Sequence, residues 1–377
     1  MMTNEGPLLL TDYASQVRDT DVLSSTDFNP ILQGLYGEVG GIMATAKKHV
    51  REKSAYPGFR KAAEEEFGDT LWYMAAICRR IDVSLEDVFS AAANHNDFKN
   101  VAATSGLSNG ALAYIAMPAT SSQSLDDTLV SLGQATAALL GNKPTFDSMV
   151  TFARAYLLSI HASELNFSNV ARRNIKKVRG CFLEPQKDDL IHIDFDKDFK
   201  YEEQLPREFK ILVRQRASGK SYLQWNGVFI GDPLTDNISD RDEYRFHDVF
   251  HFSYVAILHW SPVIRALIKH KRKSQPKYDE EQDSGRAIVV EEGLTAWIFS
   301  KAKELNYFEN QNKVSLGILK TIEEFVSGYE VEKCPLKLWE KAILDGYSVF
   351  RELRKNQGGW IIGNRENRTL EYRPFES

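Results

Sequence analysis

AAEEEFGDTLWYM, residues 62–74, sets three glutamates in a row against an apolar run. Glu64, Glu65 and Glu66 precede Phe67, Leu71, Trp72 and Met74, and Asp69 stands inside the apolar part. A run of acids is ordinarily a solvated helix turn. Asp69 is harder to place, because a helix facing a core wants an apolar side chain between Phe67 and the Leu71–Trp72 pair. On a helix Glu66 and Asp69 are three apart and Glu65 and Asp69 four apart, so they share a face. Carboxylates beside large apolar residues are costly unless something compensates them. A divalent cation does so, and hard ions such as Mg²⁺ prefer carboxylate oxygen. The bland alternative is an exposed turn with favourable charge near a helix N-terminus, and the spacing alone fits both.

The flanks extend the helical reading. Leu35, Val39 and Met43 recur at intervals of four, one face of a helix. A basic link, KKHVREKSAYPG (47–58), leads into a helix expected from about Phe59 to Ile81. Ser84 with Asp87 three residues on marks a capped start, so a third helix is expected from Leu85 to Asn100. Glu38 lies on the helix that must pack against the second one and is a candidate further carboxylate. Residues 102–125 are rich in Ser, Gly, Thr and Ala and read as a linker.

After the linker the pattern repeats. SLGQATAALL (131–140) answers GLYGEVGGIM (34–43), and the stretch from Phe152 to Lys177 answers that from Phe67 to Lys99. Asn96 and Lys99 pair with Asn174 and Lys177. Gln134 stands for Glu38 and Arg154 for Asp69, so the second copy keeps the apolar face and loses the acids.

The combination GLYGEVGGIM, EEEFGDTLWYM and NDFK resembles the MazG-like family of all-α nucleoside triphosphate pyrophosphohydrolases over residues 30–100, and more faintly over 130–180. The family pattern is ExxE, then ExxD on the next helix, then Asn-x-x-Lys on the third. Glu38 matches the first glutamate, Glu66 and Asp69 the ExxD, and Asn96 and Lys99 the last element. The resemblance implies Mg²⁺, with Mn²⁺ as the alternative ion, held by Glu38, Glu66 and Asp69. It implies a (deoxy)nucleoside triphosphate cleaved to monophosphate and pyrophosphate by an activated water. Lys47, Lys48 or Lys99 would neutralise the triphosphate. The sequence departs at Gly41, where the second glutamate of ExxE belongs. Glu65 is the candidate replacement; otherwise the domain has become a nucleotide-sensing or oligomerisation module. The repeat implies a pseudo-dimer within one chain, or a homo-oligomer.

The expected fold is mainly α: tandem helical bundles, one degenerate, then a mostly helical C-terminal domain with a small β-hairpin. The expected boundaries are 1–103, 104–185 and 186–377. KILVRQ and SYLQWNGVFIG, flanking Gly219, suggest the hairpin. About four helices are expected over 240–356, with the tail as a loop or small hairpin. His247 and His251 share a helix face with Asp248 beside them, and Glu291 and Glu292 start another amphipathic helix. Together they form a plausible second metal site, and a third functional reading is a metal-dependent phosphohydrolase centred there. Core or capping histidines, with the glutamates paired to Arg245 or Arg286, are the alternative. The basic loop KHKRKSQPK (269–277) reads as solvated or phosphate-touching. This half resembles a MazG-type C-terminal extension, from which no residue roles are carried.

A net charge of −5 gives no overall pull toward nucleic acid or membrane. The sequence has no long apolar stretch and reads as having no signal peptide, and its three distant cysteines suggest a reducing, cytoplasmic setting.

Overall fold

The structure, a computed structural model, describes residues 8–23, 27–96, 98–99, 117–118, 124–141 and 143–375. Most of the Ser/Gly-rich linker and the side chain of Lys99 lie outside the described residues. The chain divides into two compact units, residues 1–183 and 184–377. Among the described residues, no helix is long and apolar enough to cross a membrane.

Among the described residues, the first unit is helical apart from a two-residue strand pair, β1 (Phe98–Lys99) with β2 (Met117–Pro118). Its helices are α1 (Leu10–Arg18), α2 (Asn29–Glu52), α3 (Phe59–Arg80), α4 (Leu85–Ala93), α5 (Leu125–Leu140), α6 (Phe146–Ala162) and α7 (Phe167–Phe182). Local chemistry sets the starts. Ser84, Ser124, Thr145 and Asn166 each accept a backbone N–H of the first turn, satisfying donors that no intrahelical carbonyl reaches. Helix α4 is shorter than expected, ending at Ala93 rather than Asn100. Asn94 caps it, and short Asn side chains compete with helical hydrogen bonds.

The two repeats interlock. Helix α2 packs on α3 and α5 on α6 within each copy. Between copies, α2 meets α5, α4 meets α6 and α7 meets α3. The third helix of each copy therefore packs on the second helix of the other. Tyr156 of α6 sits at the centre, in contact with the rings of Phe67, Phe89 and Phe167. Its buried hydroxyl donates to the Phe67 carbonyl oxygen at 2.8 Å.

The second unit is built on α9 (Asp248–Leu258), preceded by the short α8 (Lys187–Leu190). Every residue of α9 is buried, because an antiparallel sheet covers it on one side and α14 (Leu336–Asn356) on another. The sheet has the order β5-β4-β3-β6-β7, formed by Glu208–Gln215 (β3), Ser221–Trp225 (β4), Val228–Leu234 (β5), Gly358–Asn364 (β6) and Thr369–Arg373 (β7). Phe209, Ile211 and Val213 of β3 point to the core, and Phe209 meets Phe252 of α9 at 5.4 Å. Asn226 and Gly227, both at positive φ, make the two-residue turn between β4 and β5. The expected small hairpin is thus one edge of a five-stranded sheet, and the tail forms its other edge.

Four more helices complete the unit: α10 (Pro262–Ile268), α11 (Pro276–Glu281), α12 (Gly285–Glu304) and α13 (Leu316–Phe325). Six helices, not four, therefore lie between residues 240 and 356. One extra break arises where His259 turns left-handed at φ 58° and Ser261 caps the next helix at Pro262. The basic loop does not offer all its charge to solvent. Arg272 is fully buried and forks onto Asp283 and Glu330.

Candidate functional site

In the first unit α3 carries Glu65, Glu66 and Asp69 on one face, and α2 carries Glu38 opposite. Two glycines of α2 flank Glu38 and let α3 approach. A Cβ on Gly34 would lie 2.3 Å from the Tyr73 ring, and one on Gly41 would lie 2.2 Å from Glu66 Oε2. The Glu66 carboxylate thus fills the space that a side chain at position 41 would need. Burial, then the charges of Asp69 and Glu66, push the Glu38 carboxyl up to about 7. Convergent, half-buried carboxylates that raise one another's proton affinity raise their affinity for a cation for the same reason.

Helix α7, the third helix of the other repeat, completes the arrangement. Lys177 places Nζ 2.8 Å from Glu65 Oε1 and pairs with Asp69 Oδ2. Burial alone would lower the Lys177 pKa, but Asp69 and Glu65 outweigh it and raise it. Asn174 donates Nδ2 to Asp69 Oδ1 at 3.0 Å and accepts the Tyr13 hydroxyl at 2.7 Å. Tyr13 is buried and its hydroxyl donates, so the amide oxygen of Asn174 faces Tyr13 and its NH₂ faces Asp69. Gly68 allows the close crossing, since a Cβ there would lie 2.9 Å from Asn174 Cβ.

Among the described side chains, the amide and ammonium shown on Asp69 come from the second repeat. Asn96, their partner in the first repeat, is exposed beyond the end of α4. Lys48 is exposed on the last turns of α2, its ammonium 4.7 Å from the Tyr56 ring centroid. Reading the sequence missed Asn174, Lys177 and Tyr13 as site residues. The signal was the pairing of Asn96 with Asn174 and Lys99 with Lys177, which becomes informative once the copies are seen to exchange third helices.

In the second unit His247 caps α9 and His251 lies one turn on. His251 Nδ1 is 2.8 Å from Glu291 Oε1. Glu291 also accepts the Ser261 hydroxyl at 2.7 Å and the Val263 N–H at 2.8 Å, and both His251 and Glu291 are fully buried. Burial alone would lower the His251 pKa, but Glu291 and then Glu292 raise it to about 10. Burial lowers that of His247, with Asp248 and Glu292 opposing. His247 Nδ1 is 2.9 Å from the Tyr244 carbonyl oxygen and must donate there, leaving Nε2 as the lone-pair nitrogen of the neutral ring. Donor atoms of His247, Asp248 and His251 all lie within 4.8 Å of one another. Arg245 is engaged elsewhere, with Asp236 and Glu243. The three cysteines are buried, and burial pushes the Cys78 thiol up to about 12.

Residues 191–376 match the family model of the MazG C-terminal domain. That stretch holds the sheet and the whole histidine cluster. Comparison with curated proteins and with solved structures finds no match. The second unit accordingly matches the MazG C-terminal domain over nearly its whole length, a family that points to nucleotide pyrophosphohydrolase-type chemistry.

Proposed function

We propose that the first unit hydrolyses (deoxy)nucleoside triphosphates to monophosphate and pyrophosphate in a Mg²⁺-dependent reaction. The observation that carries this reading is the convergence of Glu38, Glu66 and Asp69 with Lys177 and Asn174 from the opposite repeat. The donor set fits the ion: clustered carboxylate oxygens suit Mg²⁺ and, as an alternative, Mn²⁺. When bound, the ion would neutralise phosphate charge and lower the pKa of a water.

The chain's own residues supply the rest. Asn174, fixed by Tyr13, holds Asp69 in one orientation. Lys177, held between Asp69 and Glu65, would donate a charge-assisted hydrogen bond to a phosphate oxygen if a cation shared the Asp69 carboxylate. Glu65 retains Lys177 near the site meanwhile. The crowded acids also leave a carboxylate at Glu38 that exchanges its proton near neutral pH, as a group receiving a proton from water requires.

A second reading has a specific observation behind it. Lys177 already supplies a positive charge between Asp69 and Glu65, and Gly41 withholds one ligand. A module that binds nucleotide without turning it over would look like this. The test is purified full-length protein with Mg²⁺ and a panel of NTPs and dNTPs, following pyrophosphate and monophosphate beside Asp69→Asn. Release that Asp69→Asn abolishes supports hydrolysis. Metal-dependent binding with no release from any nucleotide supports the sensing module.

A further inference from the structure

The histidine cluster of the second unit shows a buried nitrogen that no hydrogen bond accounts for. His251 Nε2 is solvent-inaccessible and has no hydrogen-bond partner among the described residues, although the ring's other nitrogen is bonded to Glu291. A buried polar atom without a hydrogen bond is costly, and the Glu292 carboxylate reaches this one only at ion-pair distance.

Glu292 Oε2 is 3.5 Å from His251 Nε2 and 3.7 Å from His247 Nε2, and Asp248 Oδ1 is 3.6 Å from His247 Nε2. These separations exceed those of N–H···O hydrogen bonds. They approach the spacing of atoms that share one ion, because ligands about 2.1 Å from a tetrahedral centre stand about 3.4 Å apart. Each imidazole is already oriented through its far nitrogen, His247 by the Tyr244 carbonyl and His251 by the Glu291 carboxylate. Such outer bonds orient each ring with Nε2 toward the gap, and an ion bound there would displace the proton that the carboxylates hold on His251. Glu291 is itself held by Ser261 and the Val263 N–H.

We infer that His247 Nε2, His251 Nε2, Asp248 and Glu292 bind one divalent transition-metal ion, with Glu291 and the Tyr244 carbonyl orienting the two histidines. Mixed nitrogen and carboxylate donors select the zinc, iron and manganese class over Mg²⁺. The roles of Glu291 and Glu292 thereby separate: neighbours in sequence, one sits behind a ligand and the other is a ligand. The Glu292 side chain is 41% exposed, which gives the ion a route in and leaves a side open to water. This site stands independently of hydrolysis in the first unit.

The experiment uses the full chain carrying Asp69→Asn, so that the carboxylate site of the first unit contributes least. The protein is stripped with chelator, reloaded with Co²⁺ or Zn²⁺ and dialysed. The expected result is one equivalent of ion retained, with Co²⁺ showing the visible ligand-field bands of nitrogen ligation in a low-coordinate site. His247→Phe keeps the ring stack on Tyr244 and should abolish the bands. Glu292→Gln, at the half-exposed position, should weaken binding at least about 10-fold while leaving thermal unfolding of the chelator-stripped protein unchanged. If His247→Phe fails to fold, Glu292→Gln carries the comparison. No retained ion, or binding undiminished in the folded variants, overturns the inference.

Discussion

The acid cluster of the first unit and the histidine cluster of the second both gather negative charge around a gap, by opposite constructions. In the first, Asp69 and Lys177 are 108 residues apart and meet only because the repeats exchange their third helices. In the second, His247, Asp248 and His251 lie within one helical turn, and a single neighbouring helix brings Glu291 and Glu292. The first centre therefore depends on the packing of two copies. The second depends on one helix buried on all sides. A second copy without the acids costs the proposed first centre little, because it still supplies the amide and the ammonium.

The contrast can be broken or sharpened by substitution, beginning with the largest effect. Asp69→Asn removes a charge that pairs with Lys177 and, in the proposed reaction, with the cation, so pyrophosphate release should fall by about 100-fold; activity within a few-fold of wild type would detach the chemistry from the first unit. Asn174→Ala should cost about 10-fold in release, because Asp69 and the buried Tyr13 hydroxyl both lose a partner. Steady-state kinetics would expose the opposite outcome, an unaffected rate, as evidence that the second copy is only packing.

The two units should also differ in acid. Burial, then the charges of Arg365 and Arg368, push His259 down to about 3, against about 6.5 when unfolded. Its Nε2 donates to the Arg365 carbonyl at 2.9 Å and its Nδ1 has no hydrogen-bond partner among the described residues, so the folded ring is neutral. The unfolded chain binds the extra proton between these two values. Stability is therefore full above about pH 6.5 and is lost as pH falls, by about 2 kcal/mol at pH 5 from this group alone. Denaturant melts of the second unit's tryptophans should show that loss, reduced in His259→Asn. The smallest effect is expected at Gly41→Ala. Alanine favours the helix by about 1 kcal/mol over glycine, yet its Cβ displaces Glu66. Thermal stability should hold while the Mg²⁺ concentration for half-maximal release rises a few-fold. An unchanged Mg²⁺ curve would remove Glu66 from the metal's ligands.

Much of this was legible where the determining chemistry is local. Ser84 and Asp87 announced α4, the four-residue spacing announced α2, and the position of Asp69 in an apolar run announced a polar centre. His247 and His251 were visible as neighbours for the same reason. What escaped depends on contacts distant in sequence. β6 pairs with β3 about 150 residues away, from Glu208↔Asn364 to Arg214↔Gly358, and no periodicity in either strand specifies its partner. Asn174 and Lys177 were seen as counterparts of Asn96 and Lys99, but only the helix exchange shows which pair meets the acids. Glu291 and Glu292 looked equivalent, and burial separates them.

The central claim is that the second repeat completes the acid site of the first. Its most direct test is the affinity of a non-hydrolysable nucleoside triphosphate with Mg²⁺, measured calorimetrically for wild type, Lys177→Met and Asn96→Ala. Losing one charge-assisted hydrogen bond should weaken binding about 10- to 100-fold in Lys177→Met, while Asn96→Ala binds as wild type does. Binding undiminished in Lys177→Met but lost in Asn96→Ala would contradict the account and return the site to the first copy alone.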